Sequence, residues 1–555
     1  MPRPRGGGHE QRSRAREWPA PTLIGLAAAV LLLWHLTDTY LWQDEANTAV
    51  LAVRLLEHGK PLAYDGRNLI SDDNYLAMDP KTIEERTHDG RRAFEDCVRR
   101  GVLKSDGMWT FHPWGQFVLA ASSIALLGRT TLAARLPFAL AGLATVLALY
   151  WLVRRVLKSP LTATLACALL TLNVYWLLHS RQARYYSLTS LFLVLTLLAY
   201  ARWQQGARFG APVFVAMAWC WFQVDYGTVW PVFGILFLDA IVHALRTEWR
   251  SSWKPVAAGV ALLAGIVPFI FYYRLLHRKS GLFGDWPYRF SGALFNLNEY
   301  VVPTIVVIAA LVWLLIRWRR LPALEARLVA IAIATIVGLA LWVPTVAPMT
   351  FVRYVIMAAP IGAMLTAWFF VSVLGAHAPR VAWVGVALVA LTPWLCKPLA
   401  LLVRSPQWAH TGTIVRSELS LIRSDIFAHR PDPNRLVIEW LAKNSVPTDE
   451  ILINYEDLPL MYYLPNRIRG GVASFRAEDD ASVPPRYAII RRSVPFVHWP
   501  VYRREVERWF WTPVPVRAPD ITWGNNPDPE GHLKDRTKAA DLLFFERTDA
   551  ESAAH

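Results

Sequence analysis

The sequence predicts a mostly α-helical bundle that crosses a membrane about eleven times and ends in a small α/β domain. Its 555 residues are 54% hydrophobic and only 18% charged, whereas soluble proteins carry about 25% charged residues. Apolar stretches of roughly 15–20 residues recur along residues 19–402, and short basic turns separate them. This pattern ends after Leu402, so residues 403–555 are predicted to fold as a separate domain.

The first predicted span follows a basic tail. Residues 1–18 are rich in arginine, and the positive-inside rule predicts that such a tail stays in the cytoplasm. The apolar run from about Pro19 to Leu36 could pass for a signal peptide, but no cleavage site of small residues follows it. The chain continues as Trp42-Gln43-Asp44, so the run is predicted to remain as an uncleaved span.

A long polar loop over residues 37–111 is predicted outside the membrane, and a short apolar helix over residues 112–128 follows it. If that helix spanned, the basic turn at residues 154–158 would lie outside. If it is re-entrant or lies on the surface, the run over residues 132–153 passes inward and places the basic turn in the cytoplasm. The charge bias favours the second arrangement.

The remaining spans continue this register, and their cytoplasmic turns carry the basic residues that the charge bias requires. This agreement places the C-terminal domain outside. The spans are predicted at residues 161–178, 187–201, 211–224, 228–244, 255–273, 300–316, 328–346, 355–374 and 381–401. The basic residues of the turns are Arg202, Arg208, Arg246, Arg250, Lys254, Arg317, Arg319, Arg320 and Arg380.

The C-terminal domain, residues 403–555, is predicted to be α/β. The pattern indicates an amphipathic helix over residues 435–444 and strands over residues 450–455, 487–491 and 542–546. No phosphate-binding glycine loop and no internal repeat occur in it.

Charge and cysteine content exclude several classes of function. The net charge is +15, but the basic residues fill short turns rather than a face with interleaved aromatic residues, so no nucleic-acid partner is predicted. The four cysteines form no close pair, and no cluster of histidine and aspartate has metal-ligand spacing, so no metal or other cofactor is predicted. The spans contain almost no ionisable residues at mid-depth, which argues against an ion relay.

Candidate catalytic side chains lie at the outer ends of the predicted spans. Asp44 and Glu45 follow the first span. A carboxylate there could deprotonate an attacking hydroxyl, or the pair could simply mark a helix end. His112 precedes Pro113 and could contact a phosphate or begin a helix.

Three arginines also lie on the outer side, against the charge bias. Arg181 and Arg184 are three residues apart and share a face if they are helical, and Arg353 precedes Tyr354 in another outer segment. Guanidinium groups make bidentate contacts with phosphate, although lipid headgroups would account for the same residues. Asp225 lies in a short outer turn, where an aspartate is usually structural.

Four segments, in order and spacing, carry a resemblance to a known superfamily. They are WQDEANTAVLAVRLLEHGKPLAYDG (residues 42–66), HPWGQFVLAASSIALLGRTTLAARLPFALAGLATVLALYWLVRRV (112–156), HSRQARYYSLTSLF (179–192) and VRYVIMAAP (352–360). Together they resemble the GT-C integral-membrane glycosyltransferases, namely the protein O-mannosyltransferase-like and lipid A aminoarabinose transferase-like families. The resemblance covers most of residues 20–400.

The resemblance implies an inverting transferase that moves a sugar from a polyprenyl-phosphate carrier to an acceptor hydroxyl at the outer face of the bacterial cytoplasmic membrane. The acceptor is a lipid, a polysaccharide or a protein. Some GT-C enzymes use a divalent metal. Two departures stand out: Trp114 replaces a second proline, and Tyr185-Tyr186 stands where many relatives have an aspartate after the arginine.

The resemblance also assigns roles to individual residues. Asp44 matches the catalytic carboxylate, and Glu45 follows it as in relatives. Apart from the resemblance, the positions of Tyr354 and Asp225 at outer span ends lead us to expect that they support the site together with Glu45. The residues expected at the donor phosphate are His112, Arg181, Arg184 and Arg353.

Two other functions fit the same sequence features. A transporter or flippase of a lipid-linked glycan would use the same basic residues without transfer chemistry. A noncatalytic scaffold would bind a cell-envelope polymer through its outer domain.

Overall fold

The computed structural model describes residues 19–70, 95, 98–99, 103–247, 253–277, 285–347, 351–375, 379–392, 394–402, 422–429, 432–470, 484–491, 509–520 and 541–548. The chain forms two compact units. The helical unit comprises Met1–Trp34 and Phe138–Ala428, and the mixed unit comprises His35–Pro137 and His429–His555. The basic tail, residues 1–18, lies outside the described residues. The domain boundaries expected from hydropathy stay a prediction.

Most of the described chain is α-helical, as the composition predicts. Alanine, leucine and valine fill runs such as PAPTLIGLAAAVLLL, and a helix bonds its own backbone groups where no water can do so. The helices are α1 (Pro19–Leu33), α2 (Gln43–His58), α3 (Gly115–Leu127), α4 (Thr131–Val156), α5 (Pro160–Leu172), α6 (Val174–Ser180), α7 (Tyr186–Gln204), α8 (Gly210–Phe222), α9 (Val229–Thr247), α10 (Trp253–Tyr272), α11 (Trp286–Asn296), α12 (Thr304–Arg317), α13 (Ala323–Val346), α14 (Ala359–Phe370), α15 (Pro379–Leu391), α16 (Lys397–Leu402), α17 (Pro433–Asn444) and α18 (Asp457–Tyr463).

Among the described residues, 6 helices are long and apolar enough to cross a membrane, or up to 8 if two bent pairs each count as one span. The six are Thr131–Val156, Tyr186–Gln204, Val229–Arg246, Trp253–Tyr272, Ala323–Val346 and Ile356–Leu374. Shorter apolar helices are Ala20–Leu33, Gly115–Leu127, Gly210–Phe222 and Arg380–Leu391. Every predicted span overlaps one of these helices or pairs. The count of about eleven stays a prediction because it depends on the short helices.

Two of the predicted spans are bent rather than straight. Between α5 and α6 the axis turns by 71° at Asn173, whose side-chain oxygen accepts a hydrogen bond from the Trp176 N–H at 3.0 Å and caps α6. Its side-chain nitrogen donates to the Tyr300 carbonyl at 2.8 Å. Tyr300 lies in a π-helical turn, Leu297–Val301, which ends in the second bend of 82°. A cavity of about 70 Å³ lies at both bends.

An ion pair joins three apolar helices of the helical unit. Arg327 on α13 donates to both carboxylate oxygens of Asp239 on α9, with the shortest distance at 2.6 Å. The hydroxyl of Tyr200 on α7 also donates to Asp239, and Arg327 donates to Gln204 at 3.1 Å. A charge among apolar helices is costly unless it is paired, so this pair fixes how the three helices face one another.

The mixed unit contains a five-stranded sheet in the order β2-β1-β3-β5-β4. β1 pairs in parallel with β2 and β3, whereas β5 pairs antiparallel with β3 and β4. The predicted helix and the three predicted strands are confirmed as α17, β1, β3 and β5, but α18, β2 and β4 were not predicted. The strands are β1 (Glu450–Ile453), β2 (Arg467–Gly470), β3 (Tyr487–Ile490), β4 (Trp511–Pro513) and β5 (Leu543–Arg547).

The predicted outer loop is not entirely irregular, because α2 lies within it. Arg54 of this helix is almost completely buried and holds the chain that follows. Its guanidinium donates to the carbonyls of Leu62, Ala63 and Asn68 and to the Asp65 carboxylate, all between 2.7 and 2.9 Å. Burial alone would raise the pKa of Asp65, but Arg54 and backbone N–H donors bring it below its ordinary value.

Candidate active site

Asp44 and Glu45 lie on the first turn of α2, in the mixed unit. The helix begins after Trp42, whose extended backbone ends the preceding loop. Asp44 is half-buried, and Glu45 is completely buried. The N-terminal end of a helix stabilises a negative charge, so this turn suits a carboxylate. The sequence had related the pair to the end of the first span, whereas the structure shows that it opens a helix of its own.

Glu45 forms a buried ion pair with Arg135 of α4. The Arg135 Nε lies 2.7 Å from one carboxylate oxygen and a terminal nitrogen lies 2.6 Å from the other, which is a bidentate contact. Glu45 also accepts a long hydrogen bond, 3.4 Å, from the Trp42 N–H and so caps α2. The contacts of Glu45 therefore fix the backbone that carries Asp44.

His112 lies in a group of aromatic side chains just before α3. Its Nδ1 accepts a hydrogen bond from the Trp109 indole N–H at 3.3 Å, and the two rings are stacked. Phe111 meets the His112 ring edge-on, at 4.6 Å between ring centres. Because Nδ1 accepts, the proton of the neutral ring is on Nε2, which can donate to an anionic oxygen.

Packing of α2 against α3 brings the starts of these two helices together. The Thr48 hydroxyl of α2 donates to the side-chain oxygen of Gln116 of α3 at 3.3 Å, and both residues are buried. Asp44 lies four residues before Thr48, and His112 lies four residues before Gln116. The mixed unit thus carries both the predicted carboxylate and the predicted histidine, each four residues before a residue of this contact.

The predicted arginines lie in the helical unit, and Arg181 has a structural partner there. Its guanidinium donates to the Leu31 carbonyl at 2.6 Å and to the Trp34 carbonyl, at the C-terminal end of α1. The last carbonyls of a helix generally lack partners within the helix, and a cation stabilises the negative end of the helix dipole. This contact accounts for one of the arginines that were predicted on the outer side, and the phosphate role of Arg181 stays a prediction.

Arg184, Asp225 and Tyr354 interact electrostatically with Tyr185. Tyr185 lies directly before α7, and burial raises its pKa well above the ordinary value. The Asp225 carboxylate raises the pKa further, whereas the Arg184 guanidinium lowers it. The Arg184 guanidinium also lies over the Tyr185 ring, 5.6 Å from its centre. Three of the predicted site residues are therefore neighbours of one tyrosine.

Arg353 and Asp225 lie in two short segments of the helical unit. The half-buried Arg353 guanidinium lies over the rings of Phe351, at 4.1 Å, and Tyr354, at 5.7 Å. The Asp225 carboxylate accepts hydrogen bonds from the Gly227 N–H, at 2.8 Å, and from the Thr228 hydroxyl. Burial raises the pKa of Asp225, and these hydrogen bonds lower it. Asp225 thus organises the turn before α9, as a structural aspartate does.

Sequence reasoning missed two residues of these groups. Tyr185 was noted only as a departure from the family pattern, yet it is the centre of the group with Arg184. Arg135 was read as part of an apolar run, yet it holds Glu45. An arginine inside an apolar run is the signal that would have singled it out, since such a charge requires a partner.

The described cysteines are Cys167, Cys220 and Cys396, which form no disulfide; Cys97 lies outside the described residues. Among the described residues, one group of histidine and carboxylate side chains has the spacing of metal ligands, and it contains His35, Asp38 and His429.

Known structures resemble the chain over nearly its whole length. ArnT from Cupriavidus metallidurans bound to undecaprenyl phosphate matches with a TM-score of 0.54 at 12% identity, over 95% of this chain and 98% of ArnT. The apo state of ArnT matches with a TM-score of 0.57 at 13% identity, over 94% and 97%. The apo oligosaccharyltransferase of Archaeoglobus fulgidus matches with a TM-score of 0.48 at 13% identity, over 82% and 64%. No protein-family model and no curated protein sequence matches the chain.

The ArnT structures confirm the resemblance at the level of the fold. The chain has the fold of the ArnT structures, with a helical part and a small C-terminal sheet, and its apolar helices indicate a membrane protein. At 12–13% identity the match establishes the architecture, and chemistry has to be argued from the site itself.

Proposed function

We propose that this chain is a glycosyltransferase that moves a sugar from a polyprenyl-phosphate carrier to an acceptor hydroxyl. The observation that carries the proposal is the match to ArnT bound to undecaprenyl phosphate over 95% of the chain. We further propose that the transfer takes place at the outer face of a bacterial cytoplasmic membrane, with the N-terminus in the cytoplasm. A lipid-linked donor already carries its leaving group, so no nucleotide is needed there.

Asp44 is the proposed general base. Its place on the first turn of α2 gives the carboxylate a fixed backbone and a favourable helix end. The proton of the acceptor hydroxyl passes to Asp44, and the acceptor oxygen forms a bond to the anomeric carbon. The bond between that carbon and the phosphate oxygen breaks, and its electron pair leaves with the polyprenyl phosphate. Attack opposite the leaving group inverts the anomeric centre.

Arg184, Arg353, Arg181 and His112 are the proposed phosphate-binding residues. Arg181 also donates to the carbonyls at the end of α1. Guanidinium groups stabilise the negative charge that grows on the leaving phosphate, and they do so most strongly where water is excluded. The Nε2–H of His112 supplies a further donor.

Replacement of Asp44 by asparagine tests the base. The purified protein, in vesicles with a labelled polyprenyl-phosphate sugar and an envelope extract, should transfer label to a lipid, polysaccharide or protein fraction. Asp44→Asn should lower this rate roughly 100-fold or more, since general base catalysis contributes about 10²–10⁴-fold. Glu57→Gln, an exposed carboxylate on the same helix, is the matched control and should leave the rate unchanged. Full transfer by Asp44→Asn would remove the proposed role.

A transporter or flippase of a lipid-linked glycan is the second candidate. Two broken helix pairs with a cavity at their bends favour it, because transporters often bind substrates at discontinuous helices. The two candidates differ in chemistry. Release of free polyprenyl phosphate in the vesicle assay supports the transferase. Movement of intact label across the bilayer without such release supports the transporter.

A further inference from the structure

Two histidines and one aspartate converge in the mixed unit, in a group that the proposed transfer step does not use. One carboxylate oxygen of Asp38 lies 2.8 Å from Nδ1 of His35 and 2.9 Å from Nδ1 of His429. The two imidazole rings are stacked with their centres 4.6 Å apart. His35 and Asp38 belong to the turn after α1, and His429 precedes α17, so the group joins distant parts of the chain.

The three atoms that meet are a typical ligand set for a divalent transition metal. Zinc binds imidazole nitrogen and carboxylate oxygen at about 2.0–2.2 Å, so neighbouring ligand atoms of a tetrahedral ion are roughly 3.3 Å apart. The distances of 2.8 and 2.9 Å need to widen by about half an ångström to admit the ion. The His429 side chain is 81% exposed and can widen its own distance to Asp38, and its exposure leaves a fourth position open to water.

The backbone on both sides of the group is already fixed. Arg135 donates to the carbonyls of Leu36, Thr39 and Tyr40 at 2.8–3.1 Å, which holds the turn that carries His35 and Asp38. The Tyr40 N–H donates to the carboxylate of Asp432 at 2.5 Å, which ties that turn to the segment after His429. A site whose ligands stand on a fixed backbone loses little entropy when an ion binds.

The backbone of His35 adopts a conformation that is unusual for a residue with a side chain. Its φ of 50° lies in the left-handed region, which a residue other than glycine rarely adopts without compensating contacts. This conformation directs the His35 ring toward Asp38 and His429.

We propose that His35, Asp38 and His429 bind one zinc-like divalent metal ion, with water as a fourth ligand. The two imidazoles bind as neutral ligands through Nδ1, and Asp38 supplies the single negative charge. The ion ties the turn after α1 to the start of the C-terminal segment and so stabilises the mixed unit. The alternative is a clamp without metal, in which both Nδ1–H groups donate to Asp38.

Metal content and thermal stability test the proposal without any assay of transfer. The full-length protein is purified in detergent with its affinity tag removed, stripped with a chelator and titrated with zinc. One zinc ion per chain should bind and should raise the midpoint of unfolding, because a ligand that binds only the folded state stabilises it. His429→Ala and Asp38→Asn should each weaken zinc binding at least roughly tenfold, since even outer-shell substitutions cost 10–100-fold.

His58→Ala is the matched control, because His58 is also an exposed histidine near a carboxylate, 3.9 Å from Glu57. This variant should bind zinc as the unmodified chain does. His429 is exposed, so His429→Ala should fold normally and its unfolding midpoint without zinc should stay near that of the unmodified chain. The proposal fails if the stripped protein binds no zinc, or if His429→Ala and Asp38→Asn bind it unchanged. Either result leaves the role of Asp44 untouched.

Discussion

The neighbouring carboxylates Asp44 and Glu45 on α2 have different surroundings, and we infer different roles for them from this difference. Glu45 is completely buried and forms a bidentate ion pair with Arg135, whereas Asp44 is half-buried at the start of the same helix. A buried carboxylate in a full ion pair is poorly placed to take a proton from a substrate, because protonation would leave the arginine without its counter-charge. Glu45 therefore positions the helix, and Asp44 is the carboxylate that we propose for proton transfer.

Glu456 gives a pH-dependent prediction in the mixed unit. It is completely buried, it has a φ of 69°, and one carboxylate oxygen accepts from Asn434 at 3.1 Å. Burial raises the pKa of Glu456 from 4.5 to about 8. Between these values the folded chain holds a proton that the unfolded chain has released. Stability should therefore fall as the pH rises through this interval, by on the order of 5 kcal/mol.

Glu456→Gln checks this link, because the amide cannot ionise. At about pH 8 the variant should have a higher midpoint of unfolding than the unmodified chain. This difference between the two midpoints should shrink toward about pH 5. Thermal unfolding followed by tryptophan fluorescence measures the midpoints of both proteins at the two pH values. Glu439→Gln, an exposed carboxylate on α17, is the control and should show no such pH-dependent gain. A gain that is equal at both pH values would contradict the raised pKa.

At the scale of the elements, the ion pair between α9 and α13 can be tested by a double-mutant cycle. Asp239→Asn and Arg327→Gln should each lower the midpoint of unfolding, since each leaves one charge among apolar helices. The double variant should lose less than the two single losses together, with a coupling of about 0.5–3 kcal/mol. Strictly additive losses would show that the two side chains do not act as a pair.

The same scale shows what a sequence predicts. Long apolar runs such as α4 and α10 were predicted because composition alone decides them. The bend at Asn173 was not predicted, because it depends on a hydrogen bond to Tyr300, which lies far along the chain. β2 and β4 are only 4 and 3 residues long and carry no clear alternation.

The candidate site likewise contains residues that the sequence predicted and contacts that it did not. Asp44, His112 and the arginines were singled out because charges at span ends are local features of the sequence. The partners of these residues were not predicted, because the contact of Arg181 with Leu31 and the ion pair of Glu45 with Arg135 each join separate helices. The group of His35, Asp38 and His429 was missed for the same reason, because spacing along the chain does not report proximity in the fold.

At the scale of the whole molecule, the proposed donor site predicts stabilisation by the product. A polyprenyl phosphate that binds the folded chain should raise its midpoint of unfolding, by about 2.7 kcal/mol at a concentration 100 times the dissociation constant. A polyprenol of equal length lacks the phosphate and should stabilise the protein much less. Arg184→Gln and Arg353→Gln should each reduce the effect of the phosphate without changing that of the alcohol.

Arg319→Gln is the control for these two variants, because Arg319 is an exposed residue of a basic turn and has no proposed role at the phosphate. It should respond to polyprenyl phosphate as the unmodified chain does. Thermal unfolding in detergent over a series of lipid concentrations provides the measurement. If the alcohol stabilises as well as the phosphate, the chain recognises only the apolar tail. If Arg184→Gln and Arg353→Gln keep the full response, the phosphate binds elsewhere, and the proposed donor site is wrong even if Asp44 proves essential.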